Sequence, residues 1–158
     1  MPRELTILSN SISLVVLRAR GNAVEYLLLR RATDYLRDQW CQVAGSVEEG
    51  ETAWEAAVRE LKEETGLTAL SLYSADRFEQ FYRPDWDALV LVLLFVAFVA
   101  PESEVQLNFE HSEYSWCSAG EALDLLPFFS QRENIRHVRA EFVERRPNEL
   151  AKILPKDA

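Results

Sequence analysis

The sequence predicts an α/β (α+β) fold, a sandwich of helices around a central mixed sheet. Three observations carry this. Strand-like runs rich in β-branched and apolar residues recur at 12–17, 24–29 and 88–99. A helix-forming stretch, 52–65, lies among them instead of after them. Residues 88–99 are apolar at both parities, the pattern of a strand covered on two sides.

Taken in order, ISLVVL (12–17) and VEYLLL (24–29) flank Gly21-Asn22, a hairpin signal. WCQVA (40–44) predicts a short strand. Residues 52–65 contain no Gly or Pro, follow the acidic turn EEGE, and stop before Gly66, the usual position of a helix-ending glycine. Residues 70–82 predict one or two strands, and 88–99 the central one. EYSWC (113–117) alternates as another strand. Helices are expected over 119–126 and 131–143, separated by Pro127. The expected organisation is a single domain over 1–158.

Composition narrows the function classes. At 158 residues and 18.2 kDa there is little room for two cores. The hydrophobic fraction of 48% and charged fraction of 27% exclude disordered, collagenous and coiled-coil classes. Lys and Arg number 17 against 26 Asp and Glu, a formal charge of -9, so a general nucleic-acid partner is not expected. Cys41 and Cys117 form no disulfide framework and, with His111 and His137, match no zinc spacing. The start MPRELTILSN lacks a basic-then-apolar pattern, and the longest uncharged run, 88–101, is well short of a membrane span. A cytoplasmic, reduced protein with no membrane partner is expected.

The segment 45–67, GSVEEGETAWEAAVRELKEETGL, stands out. It holds three of the five glycines, and residues 48–64 carry seven acids against two bases, over half of the net charge. On a helical wheel Glu60, Glu63 and Glu64 fall within roughly 100°, while Trp54, Val58 and Leu61 cluster on another side. Like charges at i, i+3 and i+4 destabilise a helix by a few tenths of a kcal/mol per pair. A cation that the sequence itself does not supply explains the cluster best, and hard divalent ions take carboxylates together with substrate phosphates. The plain alternative is a solvated acidic face.

The fixed positions decide between them. Gly45, Glu51, Arg59, Glu60, Leu61, Glu63, Glu64, Gly66 and Leu67 meet the pattern G-x5-E-x7-R-E-U-x-E-E-x-G-U, with U aliphatic, at every place. The segment therefore resembles the Nudix box of the Nudix hydrolases. That resemblance implies an α/β/α sandwich, a loop–helix–loop box, Mg²⁺ or Mn²⁺ as cofactor, and hydrolysis of a pyrophosphate linkage. It implies Glu60, Glu63 and Glu64 as metal ligands with the Gly45 carbonyl. It implies a supporting pair, Arg59 and Glu51, that orients Glu60, and leaves Glu60 or Glu63 open as general base.

Outside the box, Glu110 in FEHSEYSW is the expected further base or ligand, with His111 beside it. Arg30 and Arg31 end a strand, and one is expected to meet a substrate phosphate, since alternation turns neighbours to opposite faces. Trp40, Phe81 and Tyr82 are aromatic candidates for stacking on a base. The segments 40–64 and 110–142 resemble the dihydroneopterin triphosphate pyrophosphatase (dATP pyrophosphohydrolase) branch. The expected substrate is a nucleoside or pterin triphosphate, yielding the monophosphate and pyrophosphate. Tyr82 and Pro84 both fall near a window that separates dinucleoside polyphosphate from ADP-ribose hydrolases, so those and nucleotide sugars stay as alternatives. A non-catalytic sensor is disfavoured by the intact set of carboxylates. Monomer and homodimer both fit.

Overall fold

The structure, a computed structural model, describes residues 1–156. Its centre is an eight-stranded mixed sheet. β1 (Thr6–Arg20) and β2 (Ala23–Arg31) form the hairpin expected across Gly21-Asn22, with Leu17 opposite Tyr26 and Arg20 opposite Ala23. Gly21 adopts φ +60, which this tight turn requires and L side chains avoid. β3 (Trp40–Cys41) pairs with β2, and β4 (Val43–Ser46) pairs with β1. The single strand predicted over 40–44 is thus two, broken at Gln42 where the chain changes partner.

Helix α1 (Ala53–Thr65) follows. Thr52 caps it by accepting from the Glu55 N–H, and the Glu55 side chain accepts from the Thr52 N–H. Gly66, at φ 72, closes it by donating to the Lys62 carbonyl. β5 (Ala69–Arg83) is one long strand with a register shift between Ser74 and Phe78. β6 (Ala88–Val99) runs parallel to β1 and antiparallel to β5, which places it centrally as expected. β7 (His111–Cys117) pairs with β2.

The remaining helices are α2 (Ala119–Leu125) and α3 (Phe129–Val138). The helix expected over 131–143 begins earlier and changes type, because Arg139–Val143 is a π-helical turn. A short 3₁₀ turn and β8 (Lys152–Leu154), paired with β5, close the sheet's far edge.

Alternation along the strands builds one core on each face. Leu14, Val16, Leu29 and Phe95 pack with Ala56, Ala57 and Leu61 of α1. Val15, Leu17, Leu28 and Leu94 pack with Ala122, Ile135 and Phe142 on the other side. The result is three layers, helix, sheet and helix. Among the described residues no helix is long and apolar enough to cross a membrane.

Candidate active site

The helix wheel separates an apolar side from an acidic one, but the structure buries part of the acidic side. Ala56, Ala57 and Leu61 face the sheet, and Glu60 and Glu64 go in with them at 8% and 2% exposure. Small alanines let α1 sit close enough to enclose two carboxylates. Glu63 stays exposed.

Arg59 organises this group. Its Nε and Nη2 donate to the two Glu51 oxygens at 3.1 and 2.7 Å, a bidentate pair. Nη2 also donates to the Ser46 carbonyl at 2.9 Å. Nη1 donates to Glu60 Oε1 at 2.8 Å and to Glu63 Oε2 at 3.2 Å. Hydrogen bonding to Glu51 first, then to Glu60, pushes the guanidinium pKa up. Hydrogen bonds from Arg59 and from the Glu48 backbone hold the Glu51 carboxyl down.

The two buried acids respond in the opposite direction. Burial raises Glu60 despite Arg59, with Glu63 and Glu110 adding to the rise. Burial, then the charges of Glu110 and Glu60, pushes Glu64 up to about 9. Glu64 Oε2 is buried without any hydrogen-bond partner. A carboxylate in that position is stable as an anion only beside a cation. Gly45 lies against this group. A Cβ there would stand 2.1 Å from Glu60 Oε1, so the missing side chain is the space the carboxylate occupies.

Hard oxygen donors in a desolvated anionic site fit a divalent ion. Among the described residues, however, no three acidic, His or Cys side chains converge to enclose one. A bound ion would therefore complete its shell with water, backbone carbonyl or substrate oxygens.

A cavity of about 890 Å³ opens beside the group and is lined by Gly45, Ser46, Arg31 and Glu110, among others. Glu60, Glu63 and Glu64 do not line it; Glu110 and Arg31 link the two, since both charges act on Glu64. Trp40 and Tyr82 also line the cavity. Trp40 packs half-buried against the second core, and the Tyr82 hydroxyl donates to Asp87 at 2.9 Å. Arg30 does not line it; its guanidinium pairs with Glu113 at 2.6 Å across the β2–β7 ladder. His111 is buried, and desolvation first, then Arg31, lowers it to about 4, so it is neutral at pH 7.

The NUDIX domain model matches residues 8–144. The chain belongs to the Nudix superfamily of hydrolases. It is 32% identical over 144 residues to the dihydroneopterin triphosphate diphosphatase of Escherichia coli (strain K12), covering 78% of this chain and 89% of that one. A solved Ap4A hydrolase of C. elegans in binary complex superposes at a TM-score of 0.72 with 27% identity, covering 84% of this chain and 96% of that chain. An octanoyltransferase of Myxococcus xanthus is 34% identical over 134 residues, covering 82% of this chain, and this chain spans only 36% of that relative's length. Nudix hydrolases generally use divalent metal ions.

Sequence reasoning missed part of the Nudix cavity. Tyr35, from the loop after β2, stacks with Arg83, whose guanidinium carbon lies 4.6 Å from the Tyr35 ring centroid and 3.5 Å from that of Trp86. Gln42 and Glu79 are buried and polar at its floor. They come from several separate stretches of the chain, and only Gln42, a polar residue inside the apolar run WCQVA, carries a local signal.

Proposed function

We propose that this chain is a Mg²⁺- or Mn²⁺-dependent pyrophosphohydrolase of a nucleoside triphosphate-like substrate, of the dATP or dihydroneopterin triphosphate type, releasing the monophosphate and pyrophosphate. The observation that carries the reading is the buried pair Glu60 and Glu64, raised by burial and joined electrostatically to Glu110 at the cavity. Glu60, Glu63 and Glu64, with the Gly45 carbonyl and Glu110, are the residues assigned to hold the metal. When bound, such an ion offsets phosphate charge and acidifies a water molecule.

The chain's own groups do the rest. Arg59, locked by Glu51 and the Ser46 carbonyl, fixes the orientation of Glu60. Arg31 supplies positive charge on the cavity wall for a phosphate. Glu110 is half-buried, and its backbone is pinned by hydrogen bonds to Asn108 and Ala32. In this proposal the Glu110 carboxylate, which lines the cavity, takes the proton of the attacking water. A single domain, in a cytoplasmic setting and as a monomer or homodimer, is part of the same proposal.

The likeness to the C. elegans Ap4A hydrolase favours a second reading, a dinucleoside polyphosphate. Product analysis separates the two: a triphosphate substrate yields pyrophosphate, an Ap4A-like one yields two nucleotides. Glu63→Gln is expected to lower kcat at least about 100-fold with an unchanged melting temperature, because it removes charge from an exposed position. Chelator is expected to abolish turnover and excess Mg²⁺ to restore it. Full activity in chelator, or a wild-type rate in Glu63→Gln, would refute the assignment. Glu110→Gln is expected to reduce kcat by about 100-fold or more with little change in substrate affinity, as for loss of a general base. A matching rise in KM with kcat intact would make it a binding residue instead.

A further inference from the structure

The cavity floor carries a polar chain that the hydrolytic chemistry leaves unused. Ser13, Gln42, Glu79 and Asn134 are buried, at 3%, 3%, 8% and 0% exposure. Arg77 Nε donates to Asn134 Oδ1 at 3.0 Å. A guanidinium has no acceptor, so this bond fixes which way the Asn134 amide lies. Asn134 Nδ2 then donates to Glu79 Oε1 at 2.6 Å and to Gln42 Oε1 at 3.2 Å. Ser13 Oγ shares its single proton between the same Gln42 oxygen at 3.4 Å and the Val43 carbonyl at 3.3 Å. Gln42 is thus oriented by Asn134, and its Nε2 is left buried with no partner. The Glu79 bond runs through Oε1, which leaves Oε2 to accept from a ligand. Ser13, Gln42 and Glu79 line the cavity, while Asn134 stands behind them.

An orphaned buried donor is rare in folded proteins and calls for a partner. Here a fixed amide donor and a carboxylate acceptor face one space. Phe81, Trp86 and Phe128 line the same cavity and are exposed, which suits them to lie against a planar ring. Gln42 lies three residues before Gly45, about 10 Å along an extended strand. That separation suits a ligand with a ring at one end and phosphates at the other.

We propose that Gln42 and Glu79 read the substrate's ring edge, and that this edge is the 2-amino-4-oxo pyrimidine pattern shared by guanine and pterins. The inference rests on the hydrolytic reading and chooses among its substrates. The pattern presents a carbonyl acceptor, a ring N–H and an exocyclic amino group in a row. Gln42 Nε2 donates to the carbonyl, and Glu79 accepts from the adjacent N–H donors. Adenine offers one amino donor beside a ring nitrogen whose lone pair faces the carboxylate. A site with buried polar groups rejects the analogue that leaves them unpaired. Asn134 and Arg77 are positioning residues, since they act through Gln42 and Glu79.

The test is equilibrium binding of neopterin, guanosine, inosine and adenosine in chelator, to wild type and to Glu79→Gln. Guanosine and neopterin are expected to bind at least about tenfold more tightly than adenosine, and inosine, which lacks the 2-amino group, about threefold or more weaker than guanosine. Glu79→Gln is expected to shrink the guanosine-to-adenosine ratio below about threefold. Adenosine binding as tight as guanosine, no binding of any of the four, or an unchanged ratio in the variant overturns the proposal. Should Glu79→Gln fail to fold, the guanosine–inosine comparison on wild type decides alone. Equal kcat/KM for GTP and dATP would sink the ring reading and leave the hydrolase; selective nucleoside binding by a chain that cleaves no triphosphate would sink the hydrolase alone.

Discussion

Gly45→Ala is expected to lower kcat by about 100-fold or more, on the scale at which a 1 Å misplacement of a reacting group costs two orders of magnitude. The backbone at Gly45 is not in the left-handed region, so conformational freedom is not the issue. Space is. The added methyl would meet Glu60 Oε1 at 2.1 Å, Cδ at 2.2 Å and Cγ at 2.7 Å. All three belong to a side chain that is buried and held by Arg59 at 2.8 Å. Glu60 can yield only by leaving Arg59, and Arg59 is itself fixed by Glu51 and the Ser46 carbonyl. The strand bearing Gly45 is paired with β1 on its other side, with Ile12 opposite Gly45, so the backbone cannot retreat freely either. The effect should fall on kcat and on metal affinity, with a smaller change in melting temperature. Steady-state kinetics at varied Mg²⁺, beside a thermal melt, read both. A variant with wild-type kcat would mean that the position of Glu60 does not matter to the reaction.

That contact also shows where sequence reasoning reached its limit. The ends of α1 were legible, because Thr52 and Gly66 carry local capping chemistry that needs no tertiary partner. The hairpin at Gly21-Asn22 and the central place of β6 were legible for the same reason, one from turn geometry and one from an uninterrupted apolar run. The burial of Glu60 and Glu64 was not. A wheel assigns residues to arcs, but Ala56 and Ala57 weigh little on it, and it is their small size that draws the helix onto the sheet. The strand break at Gln42 was hidden because WCQVA scores as strand throughout; the interruption comes from a change of pairing partner, from β2 to β1. Asn134 sits among charged residues of α3 and reads as surface from its neighbours. Only the packing of α3 on β5 brings it to Glu79, 55 residues away in sequence. In these cases what failed to appear in the sequence was a relation between elements.

Glu64→Gln is expected to separate stability from activity, with opposite signs. The Glu64 carboxyl is pushed up to about 9 by burial, and by Glu110 and Glu60. In the unfolded chain it titrates near about 4.3. Between those values the metal-free folded state holds a proton that the unfolded state has released. The favourable contribution is complete below the lower value and is lost as pH rises through the upper one. The metal-free melting temperature should therefore decline from about pH 5 to about pH 9, and glutamine, a neutral side chain of the same shape, should flatten that decline. At pH 8 the variant should melt higher than wild type without metal and yet lose at least about 100-fold in kcat, because it cannot present an anion to a divalent ion. Excess Mg²⁺ should displace the proton and lift the wild-type curve increasingly as pH rises toward the upper value, and should leave Glu64→Gln nearly unmoved. Calorimetry in buffers of different ionisation enthalpy should detect that proton in wild type and miss it in the variant. If metal-free wild type shows no decline over this range, or if Glu64→Gln responds to Mg²⁺ as wild type does, then the buried carboxyl is a structural acid and the ion is held elsewhere. The outcome matters for the helix as a whole, since two glutamates are placed where burial disfavours their charged form, a cost that a proton or an arriving cation would offset.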